Sequence, residues 1–545
     1  MADAPRWTIP SFHQTPGRYP LGLEAVAMSQ LDQLAFGIPV LFRHPRYWSI
    51  YTYAIKQFWD RGYAPQTMRA LGRYMRSREI AFACAALLCP RHPELGGVVG
   101  QIKLSNWLRD HPNDDDPVPL DIDYLQQAMG GYGQIYRGGM IDIGLILAAN
   151  ANPKTSIDAP FGDLGAHVAD TFATAIETTT YVREYADHVE GSIPVGVLKE
   201  LAEASCFCRL GSFPTEQSTL TDVLLGRVQE TMPQHTTRAA TVRMLLEFAD
   251  ATSTEAITDR RYREYLYYRS TGDSMIWKAS TDFEAVWRRW WMVQMRELVV
   301  ASLNAVFVHL VRWGKMQGGL LAALSLSDYF TELAQLEVPP FPGGPVGRIP
   351  DVPLTEVATF FDSVVARESW PIMRAPGDIP RESRLVLMCE GGTAPNTPAL
   401  AAMALLLAQR RIACRQATDG LDASETVMLQ EGMVERGGTG YVFQRLEECL
   451  KRGDSLHETL VGLVRLFIVR QHLRIARAKL PEDTFRFYEE DGGLRFVDFG
   501  DTGLNSISIR FDALTEALSE LGLITGPIGE PSHELTQRGR SVLYG

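Results

Sequence analysis

The sequence predicts a mainly α-helical, multi-domain protein with a smaller α/β part. Its 545 residues are enough for two to four domains that each bury a core. Apolar residues recur at i, i+3 and i+4 through most of residues 163–336, which is the period of an amphipathic helix. Further along, two strand-like runs, RLVLMCE at 384–390 and RIACRQA at 411–417, flank a helix at 398–409.

Shorter helices fill the N-terminal part. Helical patterns cover residues 24–36, 46–60, two stretches within 66–89, a short stretch before residue 110, and 123–146. The sharpest boundary follows much later, at residues 337–353, EVPPFPGGPVGRIPDVP. Six prolines there exclude a helix or a central strand, so we expect a linker or a strap held against the surface.

The C-terminal part predicts a long helix, a hairpin and a compact tail. Residues 455–480 read as one helix closed by Pro481, and TFRFYEEDGGLRFVD at 484–498 alternates around a turn like a β-hairpin. In the tail, ALTEALSELGLI at 513–524 places Leu514, Leu518 and Leu521 on one helical face. A short Gly/Pro-containing insert then leads to LTQRGRSVL at 535–543.

This succession of helix, LGLI, insert and LTxRGxxVL resembles the recognition helix, wing and closing helix of bacterial winged-helix domains. A second copy is predicted at 140–172, because aligning Gly144 with Gly522 brings Gly165 to Gly539 when the first insert is allowed to be four residues longer, as the length of a wing can vary. The alternative is that glycine simply recurs at helix C-termini, where it fits the left-handed cap. The resemblance implies modules that bind DNA or other proteins.

Six regions follow from these patterns. They are a helical N-terminal region 1–77, a winged-helix-like domain 78–175, a helical domain 176–336, a Pro-rich linker 337–356, a small α/β region 357–450, and a region 451–545 that holds the long helix, the hairpin and the winged-helix-like tail. Winged-helix-like modules are thus expected at the C-terminus and near 78–172.

Composition narrows the class of protein. A net charge of −12 argues against a wholly basic nucleic-acid coat, but it leaves room for a local basic face. The seven cysteines are scattered, and Cys206-Phe-Cys208 lacks zinc-type spacing, so we expect buried free thiols, no metal and no cofactor. The N-terminus lacks signal-peptide features, and the apolar run at 298–313 is short for a membrane span. We therefore expect a soluble, cytoplasmic protein that does not enter a membrane.

Arginines interleaved with aromatic residues are the candidates for nucleic-acid contact. They occur in FRHPRYWSIYTYAIKQFW at 42–59, DRRYREYLYYR at 259–269 and WRRWWMVQMR at 287–296, and further basic residues crowd the second half of the helix 455–480. The candidate residues are Arg43, Arg46, Arg260, Arg261, Arg263, Arg288, Arg289, Arg470, Arg474 and Arg477. The alternative is that the rings pack in the core while the arginines extend to solvent, and that the helix dipole alone favours cations near the helix C-terminus.

The winged-helix-like segments themselves carry the wrong charge for DNA. Residues 513–524 contain two glutamates and no basic residue, and the 140–172 copy is also acidic. Basic residues that contact phosphates supply most of the affinity for DNA, and these segments lack them. These segments are therefore expected to dock partner proteins.

Catalytic signals are weak. MGGYGQIYRGGM at 129–140 lacks the spacing of a phosphate loop and predicts a flexible break in a helix. Glu390-Gly391-Gly392-Thr393, placed between a predicted strand and a helix, could present backbone N–H groups to an anion.

The whole-chain pattern resembles a large bacterial family associated with antiviral defence or DNA-modification systems. The segments that carry this resemblance are the RxRYWSIYTYA-like opening, the helix REIAFACAALL, and DTFRFYEEDGG before the tail. The resemblance implies a non-enzymatic scaffold or nucleic-acid-binding subunit that works with other protein subunits and DNA or RNA. The alternatives are a winged-helix transcription regulator and an enzyme with a diverged nuclease or nucleotide site.

Overall fold

The protein is mainly helical, as predicted. The computed structural model describes residues 19–62, 66–91, 96–151 (without the side chain at 150), 156–227, 232–270, 276–368, 381–432, 437–480, 482–498, 507–530 and 532–545. Helices account for 62% and strands for 6%, which confirms the α class. The N-terminal residues 1–18, Pro481 and Asp501, which entered the sequence predictions, lie outside the described residues.

The helices follow the chain in this order. The first group comprises α1 (Glu24–Leu34), α2 (Arg46–Asp60), α3 (Met68–Leu87), α4 (Gln101–Asp110), α5 (Arg137–Asp142), α6 (Gly162–Ile176), α7 (Val195–Ser205), α8 (Pro214–Leu224), α9 (Pro233–Ala251) and α10 (Asp259–Tyr268). The second group comprises α11 (Glu284–Met316), α12 (Leu326–Leu333), α13 (Leu354–Val365), α14 (Glu382–Met388), α15 (Thr397–Thr418), α16 (Ala423–Gln430), α17 (Thr439–Arg452), α18 (Leu456–Leu463), α19 (Arg470–Ala478), α20 (Phe511–Glu520) and α21 (Gln537–Tyr544).

Short antiparallel strand pairs complete the described fold. They are β1 (Pro117–Pro119) with β4 (Ser192–Pro194), β2 (Ile146–Leu147) with β3 (Ala159–Pro160), and β5 (Phe487–Glu490) with β6 (Gly493–Phe496). In the last pair Phe487 faces Phe496 and Glu490 faces Gly493. The hairpin predicted at 484–498 is therefore present.

The chain forms two compact units, each assembled from separated segments. The first comprises the described parts of Met1–Leu31, Arg260–Ser280 and Trp287–Ile507, and the second those of Asp32–Asp259, Thr281–Val286 and Ser508–Gly545. The six contiguous regions expected from the sequence do not coincide with these units. Local composition marks linkers, but it carries no information about which distant segments pack together.

In the second unit the core forms around α2, which packs against α3 and α6. Near it lies the buried carboxylate of Glu79, which accepts hydrogen bonds from the hydroxyls of Tyr51 (2.6 Å) and Tyr124 (2.7 Å) and from the backbone N–H groups of Gly131 (2.8 Å) and Tyr132 (3.1 Å). Burial raises the pKa of Glu79, although these donors oppose the shift. Of the helix predicted at 123–146, residues 123–129 are not helical, and the helix begins only at Gly130, whose φ is +63°, so the predicted interruption lies here. From there the glycine-rich stretch is helical, with a π-helical turn at Tyr132–Tyr136, and its first N–H groups bind the carboxylate.

In the first unit α15 is buried along most of its length and packs against α13, α14, α17 and α18. Arg411 of α15 binds the buried Glu382 (2.7 Å) and also Glu368. The hydroxyls of Tyr267 and Tyr268 donate to the same Glu382, at 3.1 and 3.0 Å. A charged group with this many partners can be buried without a large cost.

The small α/β region predicted at 357–450 is wrong for the residues described there. Neither strand-like run is a strand: residues 384–388 of the first lie in α14 and its last two residues lead into a 3₁₀ turn, and the second run lies in the C-terminal half of α15. A short apolar run has the same composition in a buried helix as in a buried strand, so periodicity alone could not separate them. The Pro-rich segment before this region is a strap, because Ile349 and Val352 are buried and Glu337 forms a β-bridge with Arg348.

The long helix predicted at 455–480 is confirmed, with one internal change of geometry. Ser455 caps it, since its hydroxyl accepts from the N–H of Glu458 at 3.2 Å. Helix α18 passes into a π-helical turn at Val464–Val469 and then into α19. The helix thus contains one wider turn in its middle.

The predicted repeat has a geometric counterpart within the second unit. Helix α5 is followed by the pair β2–β3 and by α6, and α20 is followed by the β-bridge Ile524–Leu535 and by α21. The N–H groups of Phe161 and Thr536, which precede α6 and α21, donate to the carbonyls of Leu145 (2.9 Å) and Leu523 (3.0 Å). The same short arrangement of helix, paired segment and helix therefore occurs twice, and the alignment matches its acceptors Leu145 and Leu523, while the donors Phe161 and Thr536 differ by one position. That these segments are winged helices stays a prediction.

One helix, residues 281–316, is long and apolar enough to cross a membrane by composition. However, 83% of its most apolar window is buried within the protein, as in the core helix of a soluble protein. The cytoplasmic location stays a prediction.

Alanine substitution at the two matched glycines should destabilise the protein. A Cβ on Gly165 would collide with the carbonyl oxygen of Leu145, and one on Gly539 with that of Leu523. We expect each change to lower the free energy of unfolding by about 1–3 kcal/mol, measured by urea denaturation. The control is Gly138→Ala, since this exposed helical glycine has no atom near its Cβ position. Equal stability of all three variants would contradict the shared arrangement.

Candidate nucleic-acid interface

Helix α17 of the first unit presents a polar face that contains two arginines. Arg445, Glu448, Cys449 and Arg452 recur at i, i+3, i+4 and i+7, so they share one side of the helix. All four line a cavity of about 310 Å³. The opposite side of α17 packs into the protein.

The other wall of this cavity is the long helix α18–α19. It contributes Gly462, Arg465 and Arg470 to the same cavity. A smaller cavity of about 80 Å³ shares Arg470 with the first and adds Arg474 and Tyr441. We call Arg445, Arg452, Arg465, Arg470 and Arg474, together with Tyr441, the arginine surface.

The π-helical turn explains why Arg465 and Arg470 line one cavity. In a regular α-helix, residues five positions apart are rotated by about 140° and point to different sides. In the π-helical turn at Val464–Val469 the backbone hydrogen bonds join residues five positions apart instead of four. Residues five positions apart, such as Arg465 and Arg470, therefore lie on the same side of the helix there. From Arg470 onward the helix is regular, and Arg474 follows at i+4 on the same side.

Charge on the arginine surface is strongly positive. Among the residues lining its two cavities there are five arginines and a single carboxylate, that of Glu448. Arg445 binds Glu448, and Arg452 binds Asp454 at 3.1 Å. Burial raises the pKa of the Cys449 thiol, so this group adds no negative charge near neutral pH.

Three arginines of the surface are not neutralised by an acid within the described part of the chain. Arg465 lies 5.2 Å from the ring of Phe330, and Arg474 donates to the Oε1 atom of Gln471 at 2.8 Å. Arg470 is exposed and has no carboxylate partner among the described residues. Tyr441 is half-buried, and Phe467 packs edge-on against it with ring centroids 5.4 Å apart. The surface therefore combines unneutralised guanidinium groups with a supported, partly accessible aromatic ring.

The candidates Arg43 and Arg46 lie in the second unit. Arg46 is fully buried and binds Glu216 through Nε (3.1 Å) and Nη2 (2.8 Å). Arg43 is about one-third exposed and lies 3.5 Å from Glu516. Because Arg46 has no exposed surface, we leave it out of the interface.

The candidates in α10 and α11 are spread over different environments. Arg260 and Arg261 are exposed, and Arg260 lies 3.7 Å from Glu264. Arg263 is largely buried and donates to the carbonyl of Ile507. Arg288 binds Asp419 at 2.7 Å. Arg289 is half-buried, and burial lowers its pKa.

Aromatic rings in these segments are buried, as the core-packing alternative requires. Trp287, Trp290 and Trp291 are at most 1% exposed, and Tyr267 and Tyr268 at most 2%. No base can stack on these rings in the folded structure.

The remaining predicted cations of the long helix differ from one another. Arg477 is exposed and binds Glu489 at 3.3 Å, so it lies beside the arginine surface but carries a compensating charge. His472 is fully buried and bonded to the carbonyl of Pro20 at 3.0 Å. Burial lowers the pKa of His472 to about 4, so it is uncharged at neutral pH. Sequence reasoning missed Arg445 and Arg452, although their i, i+7 spacing on α17 was visible.

The anion site expected at 390–393 lacks its predicted geometry. Helix α14, not a strand, precedes it. The N–H groups of Gly392, Thr393 and Ala394 all donate to the carbonyl of Cys389, at 2.8 to 3.3 Å. These donors are occupied inside the turn and are not directed at a ligand.

Another, more apolar cavity of about 300 Å³ lies between α10, α11 and α14. Gln294, Glu297 and Asn304 line it from one face of α11, and each has a buried polar atom without a hydrogen-bond partner among the described residues. Burial raises the pKa of Glu297 to about 7, although the nearby Arg263, at 3.7 Å, opposes this shift. The cavity holds little net charge and does not extend the arginine surface.

Comparisons of the chain with protein-family models, with curated proteins and with solved structures give no match.

Substitution Glu297→Gln tests the charge state of the apolar cavity. The folded pKa of about 7 exceeds the unfolded value near 4.5, so the folded state holds this proton more tightly and stability falls as pH rises from about 4.5 to 7. Glutamine is uncharged, like the protonated glutamate, so the variant does not lose this stability as pH rises. We expect Glu297→Gln to gain up to about 3 kcal/mol over the wild type between pH 4 and pH 8. A stability difference that does not change with pH would contradict the shift.

Proposed function

We propose that this protein is a non-enzymatic, nucleic-acid-binding subunit of a multiprotein assembly and that it holds a single strand on the arginine surface. The observation that carries the proposal is the convergence of five arginines and one half-buried tyrosine on two adjoining cavities. Guanidinium groups match phosphate oxygens in charge and in hydrogen-bond geometry. An aromatic ring beside them allows a base to stack.

Local charge favours a polyanion over a neutral ligand. The chain as a whole has a net charge of −12, yet this surface carries the opposite sign. Such a contrast attracts a polyanion to one face and repels it from the rest of the molecule. Two concave sites joined through Arg470 also suit a chain of repeated phosphates better than a single ion.

The C-terminal winged-helix-like segment is poorly suited to reading DNA, and its docking of partner proteins stays a prediction. In the second unit, Glu516 of α20 interacts with Arg43, and Glu520 binds the imidazole of His44. The acidic side of this helix is therefore held by residues of its own unit. A transcription regulator that reads DNA through α20 would need basic residues there, and this alternative has less support.

The enzymatic alternative rests on residues 390–393, where the backbone donors are occupied by the carbonyl of Cys389. The expectation that the assembly belongs to an antiviral defence or DNA-modification system stays a prediction based on resemblance.

Charge reversal on the arginine surface should weaken binding of single-stranded DNA. Arg470 has no carboxylate partner among the described residues, so the substitution Arg470→Glu breaks no ion pair of the described fold. Loss of one charge-assisted hydrogen bond is worth roughly 1.5 kcal/mol, so we expect about tenfold weaker binding for Arg470→Glu and a larger loss for the double variant with Arg474→Glu. Fluorescence anisotropy of a labelled oligonucleotide measures the dissociation constant.

Two matched variants make this test specific. Arg73→Glu makes the same change of charge at an exposed helical position of the second unit, and it should leave affinity nearly unchanged. Arg260→Glu tests the rival segment at 259–269. If Arg260→Glu weakens binding and Arg470→Glu does not, the arginine surface is not the interface.

Blocking the larger cavity without changing charge gives an independent test. Gly462 lines that cavity, and no atom lies near its Cβ position, so the protein can accept Gly462→Leu within the helix. We expect the leucine to obstruct entry and to weaken DNA binding severalfold while thermal stability is retained. Unchanged affinity would show that the strand does not enter this cavity.

A further inference from the structure

Cys89 lies beside Cys206 and Cys208 in the second unit, although 119 positions separate it from Cys208 in the sequence. Cys89 follows the C-terminus of α3, Cys206 ends α7, and Cys208 lies in the 3₁₀ turn Phe207–Ser212. The Sγ atom of Cys208 lies 3.5 Å from that of Cys206 and 3.7 Å from that of Cys89. All three sulfurs lie within 4.8 Å of one another. They therefore form a triangle of thiols.

The turn that carries two of these thiols is held by a buried ion pair. Arg46 donates from Nη1 to the carbonyl oxygen of Cys206 at 2.6 Å, and it is itself fixed by Glu216. Ser49 also donates to Glu216, at 2.6 Å. Phe207, between the two cysteines, stacks on the ring of His44 with centroids 4.1 Å apart. The thiols are thus positioned by rigid packing around them.

The triangle has the dimensions of a thiolate metal site. A Zn–S bond of about 2.3 Å in a tetrahedral centre gives S···S separations of about 3.8 Å. The separations of 3.7 and 3.5 Å in the structure lie close to this value, while a disulfide would require about 2.05 Å. Cys208 is only half-buried, so an ion can reach the cluster from solvent.

We propose that Cys89, Cys206 and Cys208 together bind one thiophilic metal ion, with Zn²⁺ as the ion to test. The three thiolates displace their protons when the ion binds and supply three ligands, which leaves one coordination position for water or an added donor. The ion joins the end of α3 to the turn after α7. Arg91 and Arg209 lie near enough to influence the thiols, and they offset the net charge of −1 of such a centre.

Metal analysis of the full-length protein tests this site. Protein purified in reducing buffer and incubated with ZnSO₄ is passed through a desalting column, and its zinc is measured by plasma mass spectrometry. We expect about one zinc ion per chain in the wild type and loss of that ion in Cys89→Ser, Cys206→Ser and Cys208→Ser. The matched control is Cys414→Ser, which removes a half-buried thiol of the other unit and should keep the ion.

A second measurement uses only the wild-type protein, so that it does not depend on the folding of variants. Native alkylation with N-ethylmaleimide, read by peptide mass spectrometry, should show Cys89, Cys206 and Cys208 protected together by Zn²⁺ and released together by a chelator. The reactivity of Cys414 should be the same in both states. The proposal is overturned if the protein holds no zinc after incubation. It is also overturned if zinc does not change the rate at which the three thiols are alkylated. A disulfide among them in reducing buffer also overturns it.

Discussion

The arginine surface depends on one widened turn of the helix between Leu456 and Ala478. Without the π-helical turn at Val464–Val469, Arg465 and Arg470 would point to different sides of the helix, and the surface would lose one of them. A π-helical turn has weaker internal packing than an α-helical one, so its retention in the middle of a helix favours a functional reason. The cavity between this helix and α17, with Gly462 on its wall, follows from the same geometry.

Two populations of arginines, at opposite extremes of exposure, have different roles in this protein. One population is buried and organises the fold: Arg46 binds Glu216, Arg411 binds Glu382, and Arg415 binds Glu425. Removing either partner of such a pair leaves an uncompensated charge inside the protein, which is strongly destabilising. The other population is exposed. Exposed arginines form a binding site for a polyanion only where several of them lie together without carboxylates that neutralise them.

Sequence patterns predicted the helical class, the hairpin and the long helix, because each of these is local. The strands expected within α14 and α15 failed because a fully buried helix and a buried strand share an apolar run. Arg46 and Arg470 look alike in sequence, yet one is buried on Glu216 and the other is exposed. The thiol triangle was invisible to a search for spacing, since Cys89 and Cys208 are 119 positions apart.

Photo-crosslinking tests directly whether a nucleic-acid strand lies on the arginine surface. An oligonucleotide carrying 4-thiothymidine would be irradiated on the full-length protein, and the modified peptides would be identified by mass spectrometry. We expect crosslinks on the peptides around Tyr441 and on those of residues 462–474. Crosslinks confined to 42–59, 259–269 or 287–296 would contradict it.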